Sequence, residues 1–188
     1  METEFEAKVL DVSKEEIEKK LKTLGAIFNG RFEQKRYTYD IPKKTGESKW
    51  IRLRTDGKKT TMCCKLINDD KKIDGTKEIE FPVPSFEQAH EFLEMIGRPH
   101  ANYQENIRTQ YILTGVEVDI DEWPSIPTYV EIEGKNKQEV LDTIKKLGLE
   151  NHEITSQNTI EVYKRYDKNL LKIKNLRFDD DTKEQVQK

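Results

Sequence analysis

Glu4, Glu6 and Lys8 occupy alternate positions near the start of the chain, with Phe5, Ala7 and Val9 interleaved. In a strand the side chains alternate between faces, so two carboxylates and an ammonium share one face and the apolar residues share the other. The pattern recurs at Arg52 and Arg54, Glu78 and Glu80, Glu117, Asp119 and Asp121, and Glu131 and Glu133. Two segments carry it more loosely: Lys65 shares a face with Thr61 and Cys63, and Arg108 with Gln110. Arg and Lys on such a face bind anions through charge-assisted hydrogen bonds. Carboxylates crowded together repel one another, and ionise together only where those cations or divalent metal ions lie between them.

Periodicity alone is also consistent with an open sheet whose polar face is solvated. Clusters of both signs on short strands, with amphipathic helices to cover the apolar face, favour a barrel with a polar lumen and helices outside. The alternation places strands near 2–10, 34–41, 49–55, 59–66, 77–82, 106–113, 116–122 and 128–134. Three helices begin at capping boxes, Ser13 with Glu16, Ser85 with Gln88 and Asn136 with Glu139, and end at Gly25, Gly97 and Gly148. Their apolar stripes, Ile17/Leu21/Leu24, Ala89/Phe92/Leu93/Ile96 and Val140/Ile144/Leu147, are expected on the outer wall. Ser156 to Asp167 reads as a fourth helix. The segments Pro42–Ser48 and Asn68–Gly75 read as polar hairpin connections, and the tail from Asp179 as charged and disordered.

Taken in order, Glu4-x-Glu6-x-Lys8, Arg52-x-Arg54, Lys65, Glu78-x-Glu80, Arg108, an acid at Asp119 or Asp121, and Glu131-x-Glu133 resemble the CYTH superfamily of triphosphate tunnel metalloenzymes. The resemblance runs from about residue 2 to about 165. It implies an α+β fold, an antiparallel eight-stranded β-barrel with a charged lumen and flanking helices. Residues 1–170 would form the single tunnel domain and 171–188 a charged tail.

By that resemblance Lys8, Arg52, Arg54, Lys65 and Arg108, with Arg36 as a sixth, surround the substrate. A triphosphate carries about four negative charges and needs donors along its length, which Arg and Lys supply in different geometries. Glu4, Glu6 and Glu133 are the first candidates for metal ligands, with Glu131 and Asp121 next, and the implied cofactor is Mg²⁺ or Mn²⁺ with oxygen ligands. Glu78 and Glu80 either contact substrate or hold the arginines. Catalysis is assigned to Glu4, Glu6, Lys8, Arg52, Arg54, Lys65 and Arg108. The favoured activity is hydrolysis of a triphosphate; a class IV adenylyl cyclase and a non-catalytic polyphosphate- or nucleotide-binding module are the alternatives. Two positions depart from the family pattern: Asn106 stands where a Lys is usual two residues before Arg108, and Thr76 where an Arg often precedes Glu-x-Glu. Trp123, in Trp123-Pro124-Ser125-Ile126-Pro127, either stacks on a substrate ring or, more in keeping with a turn, packs.

Of 188 residues, 34% are hydrophobic and 37% charged, which suits a thin core around a polar interior. The net charge of −3 and the absence of any unmixed basic segment argue against a nucleic-acid partner. Neither a signal peptide nor a membrane-spanning run is evident, and cytoplasm is expected. Cys63 and Cys64, adjacent and facing opposite ways, exclude an intramolecular disulfide framework. His90, His100 and His152 read as too scattered for a transition-metal site. A homodimer through an edge strand or outer helix remains open.

Overall fold

A computed structural model describes residues 2–42, 48–67, 73 and 76–179. The two polar connections, over 43–47, 68–72 and 74–75, and the tail beyond Asp179 lie outside the described residues. Strands β1 (Glu2–Val9), β2 (Ile27–Asp40), β3 (Ser48–Thr55), β4 (Thr60–Ile67), β5 (Thr76–Pro82), β6 (Asn102–Leu113), β7 (Val116–Glu122) and β8 (Tyr129–Gly134) form one sheet. Their order, β6-β2-β3-β4-β5-β1-β8-β7, returns from β7 to β6, and every pairing is antiparallel. The eight strands therefore close a barrel, which leaves none of them as a free edge. Two short strands join its outside, β9 (Ile154–Thr155) on β1 and β10 (Asn175–Leu176) parallel to β6. The chain thus stays on the barrel beyond residue 170.

The helices are α1 (Lys14–Thr23), α2 (Phe86–Met95), α3 (Lys137–Leu147) and α4 (Thr159–Arg165). Ser13, Ser85 and Asn136 accept hydrogen bonds from the backbone N–H of Glu16, Gln88 and Glu139, satisfying donors that helix starts leave without partners. Gly25, Gly97 and Gly148 take the left-handed conformation that ends each helix. The fourth helix starts later than Ser156, because Asn158 caps it through the Glu161 N–H.

Strands β2 and β6 are longer than their alternation suggested, and they pair with each other from Ile27–Ile112 to Thr38–Asn102. The register shifts between Phe28 and Gly30, which breaks the period-2 pattern at the start of β2. Gly30 has φ +155°, and a Cβ there would meet the Phe32 ring at 2.7 Å.

Outer apolar faces are covered unequally. Ile17 and Leu21 of α1 and Val140, Ile144 and Leu147 of α3 pack on Ala7, Val9, Val118, Ile120, Val130 and Ile132. Across the barrel, α2 buries Leu93 against Tyr39 and Leu53. Leu24, Phe92 and Ile96, expected in the stripes, stay exposed. The short α2 meets the sheet along a narrow line, chiefly on β3, so its flanking apolar residues face outward. At one end of the barrel, Leu10, Trp123, Tyr129, Val162, Tyr163, Leu170 and Leu176 form a third cluster. None of the described helices is long and apolar enough to cross a membrane.

Candidate functional site

The barrel encloses a cavity of about 900 Å³ to which all eight strands contribute charged or polar side chains. Glu4, Glu6, Lys8, Arg36, Arg52, Arg54, Lys65, Glu78, Glu80, Arg108, Glu131 and Glu133 all line it. Asp121 does not. It is fully buried behind Arg108, which donates to both of its oxygens at 2.9 and 2.6 Å.

Most lumen charges are already compensated. Lys8 pairs with Glu6 at 3.2 Å and Glu131 at 3.0 Å. Lys65 pairs with Glu4 at 2.9 Å and Glu78 at 2.7 Å; Arg52 pairs with Glu78 at 3.2 Å and Glu80 at 2.9 Å. Arg108 sits among three acids, 2.6 Å from Asp119, 2.6 Å from Asp121 and 3.0 Å from Glu131. Although burial disfavours the charge, Asp121, Asp119 and Glu131 hold the Arg108 pKa well above its ordinary value. Burial likewise works against Glu78, yet Arg52 and Lys65 bring its pKa down to about 2.

Two places break this neutrality. Arg36 and Arg54 are direct cross-strand partners on β2 and β3. Arg36 is buried, and no carboxylate lies within ion-pair distance of it among the described residues. Its guanidinium donates to Gln34 Oε1 at 3.0 Å and to Asn106 Oδ1, and it lies 4.6 Å from the Trp123 ring centre. Burial, with Arg52, Arg54 and Arg108 nearby, pushes its pKa down to about 9. Arg54 is 3.6 Å from Glu80, and Arg52 together with burial lowers its pKa to about 10. Both values signal a site short of negative charge.

On β1 and β8, Glu6 lies directly opposite Glu133, which is in turn opposite Glu117 of β7. Glu133 makes no hydrogen bond or ion pair among the described residues, and burial with Glu131, Glu6 and Glu117 raises its pKa to about 7. Glu4, despite Lys65, is raised by burial to about 8. Asp119 rises to about 7 by burial, against the pull of Arg108. Glu4 and Asp119 keep their pairs with Lys65 and Arg108, so it is Glu133, with Glu6 and Glu117 opposite it, that marks a pole short of positive charge. Carboxylate oxygens on three adjoining strands, with Lys8 shared between Glu6 and Glu131 and Lys65 acting on Glu133 only from a distance, suit a hard divalent ion.

In the strand order, β2/β3 and β1/β8 are half a turn apart, so the two poles face each other across the lumen. Sequence periodicity had placed the lumen acids and bases, but not the neutral groups that position them. Gln34, Thr38 and Gln104 line the cavity, and Asn106 links the arginine pole to Asp121, accepting from Arg36 and donating to Asp121 at 3.3 Å. Their signal was period-2 sharing of a face with Arg36 and Arg108. Trp123 packs: it is buried in the end cluster, edge-on to Tyr163, with Arg36 over its ring. Trp50, which the charge pattern did not single out, lines the cavity from β3. Cys63 lies on the lumen face in register with Arg52 and Glu80, and burial pushes its thiol up to about 11. Outside the barrel, the structure brings together two histidines read as scattered: His90 and His100 have ring centres 5.2 Å apart.

A closed antiparallel barrel with inward acids and bases and flanking helices is a tunnel fold. The chain belongs to the CYTH domain family, whose model matches residues 2–165. CYTH-domain proteins in general are metal-dependent and act on triphosphates. Two archaeal structures are similar over nearly their whole length. The PH1012 protein from Pyrococcus horikoshii OT3 is 27% identical, with TM-score 0.71, over 84% of this chain and 98% of that one. A conserved hypothetical protein from Pyrococcus furiosus is 25% identical, with TM-score 0.72, over 85% and 99%. A putative adenylyl cyclase from Hippeastrum, described as having a dominant triphosphatase activity, shares the fold at 16% identity and TM-score 0.59, over 92% of this chain and all of that one. No curated protein matches the chain.

Proposed function

We propose that this protein hydrolyses a triphosphate inside the barrel with a divalent cation, Mg²⁺ or Mn²⁺. One observation carries the reading: the buried Arg36 and its half-buried cross-strand partner Arg54 face Glu133 and its cross-strand partner Glu6 across one cavity. Among the described residues Arg36 has no carboxylate in ion-pair range and Glu133 no ion-pair partner, while Glu6 shares Lys8 with Glu131. A phosphate chain with its metal supplies both missing charges at once.

Glu4, Glu6 and Glu133, with Glu131 beside them, would hold the ion. When bound, a hard divalent ion neutralises phosphate oxygens and makes a bound water more acidic and nucleophilic. Arg36 and Arg54 bind the phosphate oxygens opposite, Arg36 held in place beforehand by Gln34, Asn106 and the Trp123 face and Arg54 steered by Glu80. Arg36 contacts Asn106, where the family more often has Lys, and so supplies a cation beside that position. Arg52, Lys65 and Lys8, already paired, lend donors along the lumen while their acids fix their orientation. Asp121 acts as a positioning residue for Arg108.

Arg36 covers one face of Trp123, which leaves Trp50 as the better-placed cavity-lining platform for a base, and hydrolysis is preferred to cyclisation because it needs no base to be held. The test is a product assay on inorganic triphosphate, thiamine triphosphate and ATP with each ion. Orthophosphate is the expected product. Cyclic AMP with pyrophosphate would replace the hydrolase by a cyclase, and metal-dependent thermal stabilisation without product would leave a binding module.

A further inference from the structure

Helix α2 and the segment that follows it carry a second constellation, outside the barrel and independent of the tunnel chemistry. His90 and Glu94 are four residues apart on α2 and share a face, and His100 comes back to them from the segment leading into β6. One ring nitrogen of each histidine and one Glu94 carboxylate oxygen lie within 4.8 Å of one another. Glu94 Oε1 is 3.0 Å from His100 Nδ1 and 3.9 Å from His90 Nδ1. A tetrahedral Zn²⁺ with bonds of about 2.0–2.1 Å separates its ligand atoms by about 3.3 Å, so the two distances bracket that spacing. Both Glu94 and His100 are exposed, leaving the group accessible from solvent.

We infer that His90, Glu94 and His100 form a binding site for Zn²⁺, with two imidazoles and one carboxylate as ligands and a fourth position left for water. Imidazole ligands select a borderline transition ion over the hard Mg²⁺ or Mn²⁺ of an all-oxygen site, so the two metals partition by ligand chemistry.

The arrangement is supported from behind. Tyr37 stacks on the His90 ring at 4.0 Å and 9°, fixing its plane, and meets His100 edge-on. The backbone N–H of His100 donates to Glu94 Oε1 at 2.8 Å, and Ala101 N–H donates to Thr38 O at 2.7 Å, which holds the returning segment against β2. The Tyr39 hydroxyl lies 2.9 Å from His90 Nδ1. An entering ion takes that nitrogen from the hydroxyl and replaces the 3.0 Å hydrogen bond between His100 Nδ1 and Glu94 Oε1, so loading exchanges two side-chain hydrogen bonds without rearranging the backbone. Occupancy ties α2 to the start of β6, the strand that carries Gln104 and Arg108 into the cavity.

Histidine side-chain ¹H–¹⁵N spectra of the tag-free full chain, titrated with Zn²⁺ in saturating Mg²⁺, test the site directly. The expected result is that His90 and His100 resonances move together while those of His152 do not. His100→Ala should weaken Zn²⁺ binding at least about tenfold and cancel Zn²⁺-induced thermal stabilisation. Glu94→Gln is a second variant that leaves both rings in place, and it should do the same. Phosphate release with Mg²⁺ alone should be unchanged in both. Unmoved His90 and His100 signals would overturn the inference, as would Zn²⁺ affinity that survives His100→Ala and disappears in Glu133→Gln. Neither readout depends on turnover, so failure here is distinct from failure of the proposed hydrolysis.

Discussion

The Arg36/Arg54 pair and the Glu6/Glu133 pair are both like charges placed directly opposite across neighbouring strands, and they differ in how they are held. Arg36 is fixed by Gln34, Asn106 and Trp123 before any ligand arrives, whereas Glu133 has no partner among the described residues. Under the proposed function a phosphate chain would meet a rigid wall on one side, and a hydrated ion would meet adaptable oxygens on the other, as suits a cation that keeps several waters. Two residues along from Glu6, Lys8 faces Glu131 and neutralises it, so the chain can compensate charge in this register. Cross-strand like charges cost about 0.2–1 kcal/mol each, and under the proposed function a bound ligand offsets that cost at these two places.

The largest effect should come from neither pole but from the compensated set between them. Asp121→Ala leaves Arg108 short of its most buried partner, and unfolding free energy should fall by about 3–5 kcal/mol, read from denaturant titration. A neutral result there would mean that the compensated pairs are no more structural than the poles, and the contrast would collapse.

Glu133→Gln should reduce metal-dependent phosphate release at least about a hundredfold, equivalent to about 2.7 kcal/mol of barrier. The same variant should hold or gain thermal stability when metal-free, because it relieves repulsion with Glu6 and Glu117. If it unfolds instead, Glu133 is structural. Arg54→Gln should raise KM about tenfold with a smaller change in kcat, and likewise gain slightly in stability without ligand. Equal losses at both poles in KM and kcat would dissolve the division of labour between anion and cation sides.

pH separates the regions by sign. The Glu133 carboxyl has its folded pKa raised to about 7 from an ordinary 4.5, so the folded state binds more protons in that window, and metal-free stability should fall as pH rises from about 4.5 to 7. Glu78, held down at about 2, contributes stability that is present above about 4.5 and lost as pH drops toward 2. Thermal melts across pH should show both limbs. Glu133→Gln should shrink the first, to which Glu4 and Asp119 also contribute, and Glu78→Gln the second, while saturating Mg²⁺ should reduce the first alone.

Much of this was legible in the residues. Alternation at Glu4-Phe5-Glu6-Ala7-Lys8 and its repeats identified the lumen face, since a strand's side chains have no choice but to alternate. Ser13, Ser85 and Asn136 marked helix starts because their short polar side chains satisfy local N–H groups. The early part of β2 was not legible, because the bulge before Gly30 and its exposed Ile27 and Phe28 destroy the period. Nor was the closeness of His90 to His100, which depends on how the segment after α2 returns to β2.

The sequence by itself determined which residues face inward and where the helices begin, since both follow from interactions within a few residues of chain. Only the tertiary structure decided which charges cancel and which remain. Arg108 acquires three acids and Arg36 none, although both read alike as lone arginines on a polar face. Register between distant strands sets those partners, and in a barrel's low-dielectric interior the presence or absence of a partner separates a structural ion pair from a binding group.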